Sequence, residues 1–364
     1  MLRPIQAFTA SALLLTLLSA CRSLPSGVPS SYSADEVPAA LQEIDGEMQE
    51  GRYRHALARS RIASEARGLT PDERQRVQMR LERAAVARIA ELEEGEGDAD
   101  ALESIFELEL PRQLSVSAGM RAAEIRYRDG DRYDAFRMIR RVDLKYPQHQ
   151  ERAKAGRLLF EIGQSFEQDT GSYFLFFDYR DNAPEVFEYL VLNHPSEPRC
   201  DEAYWLLAKM YEEEERWTLA IERHEDLLLW YPGSPHVPFS RARIPHLRLA
   251  SLRSPEYDRT EMMLALGELD SWLADFASLE ESEPTLTDLV RRDRLDALQR
   301  LADNDLTISR FYHRVENGTG ASYHALRAVE EAVAGGSDKQ LEEARAWLEK
   351  VRSVYPDQPE PETP

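Results

Sequence analysis

Hydrophobic and polar residues follow a helical period along most of this chain, and four segments repeat it in one register. Each begins with alanine, carries large residues four and seven positions later, and ends in a ring side chain and proline at positions eleven and twelve. The alanines are Ala135, Ala183, Ala220 and Ala344, and the prolines are Pro147, Pro195, Pro232 and Pro356. A small residue lets two antiparallel helices approach closely, and proline cannot continue a helix. The pattern predicts an array of helix–turn–helix repeats.

The fullest copy of the pattern spans residues 204–232. Its apolar and small residues are Tyr204, Leu207, Ala208, Tyr211, Ala220 and Leu227, with Pro232 at the end. This spacing resembles the tetratricopeptide repeat of 34 residues, in which two antiparallel helices form each unit. We therefore expect an all-α fold, a tetratricopeptide-type superhelix or solenoid.

Outside the four register segments, helix-breaking and helix-capping residues predict further helices. Residues 36–67 read as two short helices broken near Gly51, and Thr70 with Pro71 caps a helix reaching about Glu94. The acidic stretch 93–100 lacks the spacing of a calcium loop and is interpreted as a solvated linker. Residues 36–112 are thus expected to be an N-terminal helical extension of the repeats, which occupy 113–356.

Within the repeats, the first pair is predicted at Val116–Arg128 and Tyr133–Lys145. The repeat ending at Pro195 is 48 residues long, and its surplus near 170–182 holds five aromatic residues that either bind a ligand or pack. Later helices are predicted at 239–252, 259–276, 284–316, 321–333 and 339–354, with Asn317–Gly320 as a break and 357–364 as a disordered tail.

The N-terminus combines Arg3, an apolar run from Leu13 to Leu18, and Cys21 preceded by Leu18-Ser19-Ala20. This resembles a bacterial lipobox, which predicts a lipoprotein signal peptide over 1–20 and lipidation of Cys21, with Arg22 favouring the outer membrane. An ordinary secretory signal that contains a cysteine is the alternative. Residues 21–35 are rich in Ser, Pro and Gly, and predict a flexible lipid tether.

The composition of the chain and the motifs it lacks disfavour several classes of function. With 45 basic and 66 acidic residues the net charge is −21, which disfavours binding to nucleic acid. Lipidation of Cys21 leaves Cys200 without a disulfide partner, and we expect a free thiol at the start of a helix. The sequence contains no nucleophile elbow, zinc-protease, phosphate-loop or C-x-x-C motif, so we predict no enzyme, cofactor or metal site.

Three further segments resemble a known family. Ser254–Asp258, Ser309–His313 and Ala321–Arg327, together with the lipobox and the Tyr-Pro repeat ends, are similar to the BamD (YfiO/ComL-type) outer-membrane assembly lipoproteins over residues 115–356. The resemblance implies a non-catalytic protein on the periplasmic face of the outer membrane. It implies unfolded outer-membrane proteins and a BamA-like barrel subunit as partners. A tetratricopeptide lipoprotein scaffold for another envelope or pilus assembly is the alternative.

Candidate binding residues follow from the repeat register. First-helix positions 2, 5, 9 and 12 of such repeats share the concave face. They are Ser117, Met120, Glu124 and Tyr127 in one repeat, and Glu202, Trp205, Lys209 and Glu212 in another. We predict that a peptide binds at Met120, Tyr127, Trp205, Lys209 and Glu212, with Lys209 pairing with a carboxylate. The alternative is that the large apolar members pack against the neighbouring repeat.

Overall fold

A computed structural model describes residues 24–95, 97–169, 171–174, 177–252 and 259–356, and the side chains of 172–174 and 177–178 are not described. These residues form fifteen α-helices, two short 3-10 helices and one two-stranded hairpin. The chain divides into two compact units, residues 1–162 and 163–364, and each is described by itself. The division falls inside a helix, Arg152–Glu167, rather than at the predicted boundary between 112 and 113.

The first unit contains six helices and most of a seventh. They are α1 (Val37–Gln49), α2 (Tyr53–Ser64), α3 (Pro71–Glu94), α4 (Ala99–Phe106), α5 (Arg112–Arg128), α6 (Arg132–Lys145) and α7 (Arg152–Glu167). The break near Gly51 and the start of α3 are as predicted. Thr70 accepts a hydrogen bond from the Glu73 amide, and the Glu73 side chain accepts one from the Thr70 amide, so the capping box is complete. Helix α4 was not predicted.

Residues 24–36 pack along α1 and α2, which corrects the predicted flexible tether for this segment. The buried Arg59 donates to the Gly27 carbonyl at 3.1 Å and to the Tyr32 hydroxyl at 2.6 Å. The same guanidinium pairs with the buried Glu47 at 3.1 Å, and Val28 is only 8% exposed. Burial alone would lower the pKa of Arg59, but its hydrogen bonds to Glu47 and Tyr32 raise it overall. We call residues 24–36 the strap.

The second unit begins within α7 and continues with the strands Ser172–Phe174 and Phe177–Asp178, which pair antiparallel. Its helices are α8 (Ala183–Asn193), α9 (Cys200–Glu213), α10 (Trp217–Trp230), α11 (Val237–Ser251), α12 (Arg259–Asp275), α13 (Pro284–Arg314), α14 (Gly318–Ala334) and α15 (Asp338–Val354). A buried cluster joins α11, α12 and α13 around Trp272, Leu269 and Val290.

The four predicted register segments form the second helix of four helix pairs. Every register alanine is fully buried, and the residues four and seven positions later are buried too, with Leu348 the most exposed at 9%. In each case the ring residue ends the helix, and its amide donates to the carbonyl seven positions after the alanine at 2.7–2.9 Å. The predicted fold class is therefore confirmed: the chain is an all-α protein of tetratricopeptide-type helix pairs.

Two glycines allow especially close helix contacts. A Cβ atom on Gly119 of α5 would lie 2.5 Å from Val142 Cγ2 and 2.9 Å from the ring of Phe106. A Cβ atom on Gly163 of α7 would lie 2.7 Å from the ring of Phe187 on α8. Val142 and Phe187 lie on the second helices of their pairs, so the two glycines set the spacing between the helices of each pair.

One predicted boundary is wrong. Asn317–Gly320 does not separate two helices as a loop, because α14 already begins at Gly318. The Asn317 side chain accepts a hydrogen bond from the Gly320 amide and caps α14, while Glu316 takes a left-handed conformation with φ of 59°. The signal peptide, Cys21, the joint 254–258 and the tail 357–364 lie outside the described residues.

Candidate interaction surface

Trp205 on α9 is the centre of an aromatic group between two successive first helices. Its ring stacks on His236 at a centroid distance of 5.3 Å and meets Phe239 edge-on at 5.9 Å. His224 of α10 approaches the same ring at 5.5 Å. Trp205 stays half-buried, so part of its ring faces solvent while the rest is fixed by α10 and α11.

Lys209 lies one turn after Trp205 and is exposed. No carboxylate of the described residues lies within ion-pairing distance of its ammonium group. An exposed, unpaired cation beside a partly exposed indole gives α9 one apolar and one cationic contact point. We call Trp205, Lys209, His236 and Phe239 the α9–α11 surface.

Glu212, by contrast, is engaged within the protein. Its carboxylate lies 2.9 Å from His224 Nε2 and 3.2 Å from Arg243 Nε, and it also pairs with Arg243 through a second guanidinium nitrogen. Burial would raise the pKa of Glu212, but the hydrogen bonds from His224 and Arg243 outweigh it and lower the pKa overall. The prediction that Glu212 binds a peptide is thus not supported by its contacts, which hold α10 and α11 to α9.

His224 stays neutral at pH 7, because burial lowers its pKa despite the hydrogen bond with Glu212. A carboxylate accepts hydrogen bonds only, so Nε2 carries the proton and donates to Glu212. Nδ1 then accepts from the Ser240 hydroxyl at 3.0 Å. This chain of contacts orients the imidazole ring against Trp205.

The candidates of the first unit behave differently. Met120 is fully buried, which corrects the prediction that it lines an accessible groove. Tyr127 is half-buried, and its hydroxyl donates to the Glu161 carbonyl of α7 at 3.3 Å. Glu124 pairs with Lys154 at 2.8 Å. In this repeat the predicted positions mainly join α5 to α7, as the packing alternative holds.

The residues that sequence reasoning missed are His236, Phe239 and Arg243. They follow Glu202, Trp205 and Lys209 by 34 residues each, so they are the same three positions of the next repeat. Two contacts join these positions from one repeat to the next: Trp205 meets Phe239, and Glu212 pairs with Arg243. The 34-residue period would have identified these three residues, since each lies one repeat length after a candidate.

Three of the second helices carry an exposed leucine near their C-terminal ends. The position nine residues after the register alanine is an exposed leucine in three repeats: Leu144 at 75%, Leu192 at 71% and Leu229 at 68%. Trp230 beside it is 65% exposed. In the fourth repeat the position is Ser353.

The remaining candidate group is the thiol of Cys200. Cys200 is a buried free thiol at the first residue of α9, as predicted, and burial raises its pKa to about 11. Within the described ranges, no group of three or more His, Cys, Asp or Glu is placed to hold a metal ion. Over the same part of the chain, no helix has the length and apolar character needed to cross a membrane.

No family model and no curated protein matches this chain. Among solved structures, the tetratricopeptide domain of P58(IPK) aligns over 89% of this chain and 81% of its own at 14% identity and a TM-score of 0.23. A circular tandem repeat protein with novel repeat topology and enhanced subunit contact surfaces aligns over 88% and 76% at 16% identity and a TM-score of 0.18. At these values the likenesses say nothing about a ligand, and the fold class follows from the chain's own helix pairs.

Proposed function

We propose that this protein is a lipid-anchored, non-catalytic scaffold of the outer membrane that binds unfolded outer-membrane proteins during their assembly into β-barrels. The observation that carries the proposal is the α9–α11 surface. It presents a partly exposed indole, fixed by His236 and Phe239, next to an exposed ammonium group. Such a pair suits an extended peptide that ends in an aromatic residue and a carboxylate.

The physical basis is preorganisation. Trp205 is already held in position before a ligand arrives. Its side chain therefore loses little further conformational entropy when an aromatic ring of the ligand packs on it. Buried aromatic anchors at interface centres contribute about 2 kcal/mol or more to binding. Lys209 adds a charge that fixes the direction of the peptide by pairing with its terminal carboxylate.

Membrane attachment and partners come from the sequence resemblance. The lipobox ending in Cys21 supports a lipid anchor, and the segments similar to the BamD family support a BamA-like barrel subunit as the second partner. One acyl chain holds a protein only marginally, so a diacylglyceryl group with a further chain supplies stable anchoring. Cys21→Ser removes the acylated sulfur and is expected to release the chain from membranes. A variant that still fractionates with outer membranes after a high-salt wash would show anchoring by protein contacts instead.

Peptide binding is tested with the chain lacking its lipid, titrated with the C-terminal peptide of a barrel protein from the same cell. Trp205→Ala is expected to weaken binding at least tenfold, and Lys209→Glu to weaken it for the free carboxylate but not for the amidated peptide. The matched control is Trp230→Ala, which removes an indole that is 65% exposed on α10. Because Lys209 is exposed, the Lys209→Glu variant is expected to fold normally. It therefore still tests peptide binding if Trp205→Ala lowers the stability of the protein. Unchanged affinity in both variants would exclude this surface as the receptor.

The alternative function is a scaffold for another envelope or pilus assembly. It uses the same fold and anchor, and it differs only in the partner. Copurification from detergent-solubilised membranes separates the two, since barrel proteins and pilus subunits are distinguished by mass spectrometry.

A further inference from the structure

The strap leaves very little chain between Cys21 and the folded body. Leu24 and Pro25 already lie against the first unit, and Arg59 holds the following residues at Gly27 and Tyr32. Only Arg22 and Ser23 separate Cys21 from Leu24. Three residue steps of fully extended chain span at most about 11 Å. A lipid on Cys21 would therefore keep this part of the body close to the bilayer.

Leu24 and Pro25 form one edge of a cleft of about 520 Å³ between α2, α3 and α4. Its floor is apolar and includes Leu57 and Ile105. Its rim carries three arginines, Arg54, Arg61 and Arg88. An apolar floor beside a group of arginines fits a molecule that is hydrophobic at one end and anionic at the other.

The charges around the cleft favour an anion on the α2 side. Helix α2 contains three arginines and one histidine but no acidic residue, in a chain whose net charge is −21. Arg54 has no carboxylate within ion-pairing distance among the described residues, and Arg61 meets only the exposed Glu65 at 3.9 Å. Arg88 pairs with Glu91.

The two aspartates on the opposite rim are already engaged. Asp98 accepts a hydrogen bond from the Ala101 amide and caps α4. Asp100 pairs with Arg126 at 2.9 Å. Arg54 and Arg61 are thus the cleft charges with the least internal compensation.

We propose that this cleft takes the phosphate headgroup of a phospholipid from the membrane in which the anchor is inserted. Arg54 and Arg61 contact the phosphate, and the apolar floor covers the start of the acyl chains. The inference rests on the proposed lipid anchor at Cys21. The headgroup layer on each side of a bilayer is about 5–8 Å thick, and a spacer of at most about 11 Å holds the cleft at that layer. The first unit is then oriented on the membrane, with α2 facing the lipid.

The test uses the full lipidated chain in vesicles of phosphatidylethanolamine and phosphatidylglycerol that contain a headgroup-nitroxide lipid. A fluorophore is attached at Ser104→Cys, because Ser104 lines the cleft and is exposed. Cys21 is blocked by the lipid, and Cys200 is buried with a pKa raised to about 11, so neither competes for the label. The control label is at Met79→Cys, which is 61% exposed. It lies nine residues before Arg88 on α3, and at about 3.6 residues per turn it faces the opposite side of the helix.

Several-fold stronger quenching at position 104 than at position 79 is expected. Arg54→Glu with Arg61→Glu should bring the two positions close to equal while the chain still floats with the vesicles. Arg83→Glu, an exposed arginine of α3 outside the cleft lining, should change neither. Equal quenching at both positions of a floating wild-type chain, or no effect of the double reversal, would overturn the inference.

Vesicle flotation and competition with inorganic phosphate distinguish the possible reasons for a negative result. A wild-type chain that does not float refutes the anchor on which the inference rests, whereas one that floats without quenching at position 104 refutes the cleft alone. Inorganic phosphate in excess, at matched ionic strength, should leave the quenching unchanged. Loss of quenching in phosphate would show that a free phosphate ion displaces the headgroup, so the cleft would be an anion site without preference for a lipid and the inference would fail.

Discussion

Replacing Gly119 by alanine sets two opposing effects against each other at the contact between α5 and α6. Alanine stabilises a helix interior by about 1 kcal/mol relative to glycine. The new methyl group, however, would lie 2.5 Å from Val142 Cγ2 and 2.9 Å from the Phe106 ring, both in the core. Val142 is β-branched with a stiff χ1, and overpacking typically costs about 1–3 kcal/mol. We expect the cost of the clash to exceed the gain in helix propensity, with a net destabilisation of up to about 2 kcal/mol.

Gly46→Ala in α1 is the matched control, because nothing lies within 4 Å of the Cβ atom it would add. It should stabilise the first unit by up to about 1 kcal/mol. Hydrogen exchange of the α5 and α6 amides measures local opening and avoids assuming a single unfolding step. Exchange should become faster in Gly119→Ala and should not in Gly46→Ala. Equal protection gains in both variants would refute the close helix contact inferred here.

Three other variants test other parts of the structure. Ala220→Trp should lower the urea midpoint of the second unit, since overpacking of a fully buried helix contact costs about 1–3 kcal/mol or more; an unchanged midpoint contradicts the repeat register. Arg59→Met should speed amide hydrogen exchange across residues 24–36 and should destabilise the first unit by about 3 kcal/mol, because it leaves the buried Glu47 carboxylate unpaired. Adding Glu47→Leu should recover much of the lost stability. Burial and a hydrogen bond with Asp305 of α13 raise the pKa of Glu331 on α14 to about 7 in the folded chain. The same carboxyl ionises at lower pH in the unfolded chain, so the free energy of unfolding should fall as pH rises from about 4.5 to 7. Glu331→Gln should flatten that slope, and a slope unchanged by the variant would assign the pH dependence to other groups.

The repeat register was predictable because it depends on local and periodic requirements. An alanine at position 135 or 220 followed by a proline twelve residues later indicates a close helix contact and the end of the second helix of a pair. The structure places both Ala135 and Ala220 in the core. The Thr70 cap was equally readable, since a capping box is complete within four residues. Features of this kind need no knowledge of distant contacts.

Exposure and the strap were not predictable, because both depend on distant residues. Met120 and Trp205 occupy the same repeat position, yet Met120 is fully buried and Trp205 is half-buried. The position gives the direction of a side chain, and the neighbouring helix decides what covers it. The strap has the composition of a linker, but Arg59, from a later helix, finds partners at Gly27 and Tyr32 that composition does not reveal.

We propose that the α9–α11 surface receives unfolded barrel proteins in the cell. The most direct measurement places a photoreactive amino acid at position 209 of the full chain and identifies the crosslinked proteins by mass spectrometry. The control is the same amino acid at Glu349, an exposed position on α15. We predict crosslinks at position 209 to precursors of outer-membrane barrel proteins, lost on Trp205→Ala and absent at position 349. Crosslinks to pilus subunits, or the same products at both positions, would contradict the proposed function.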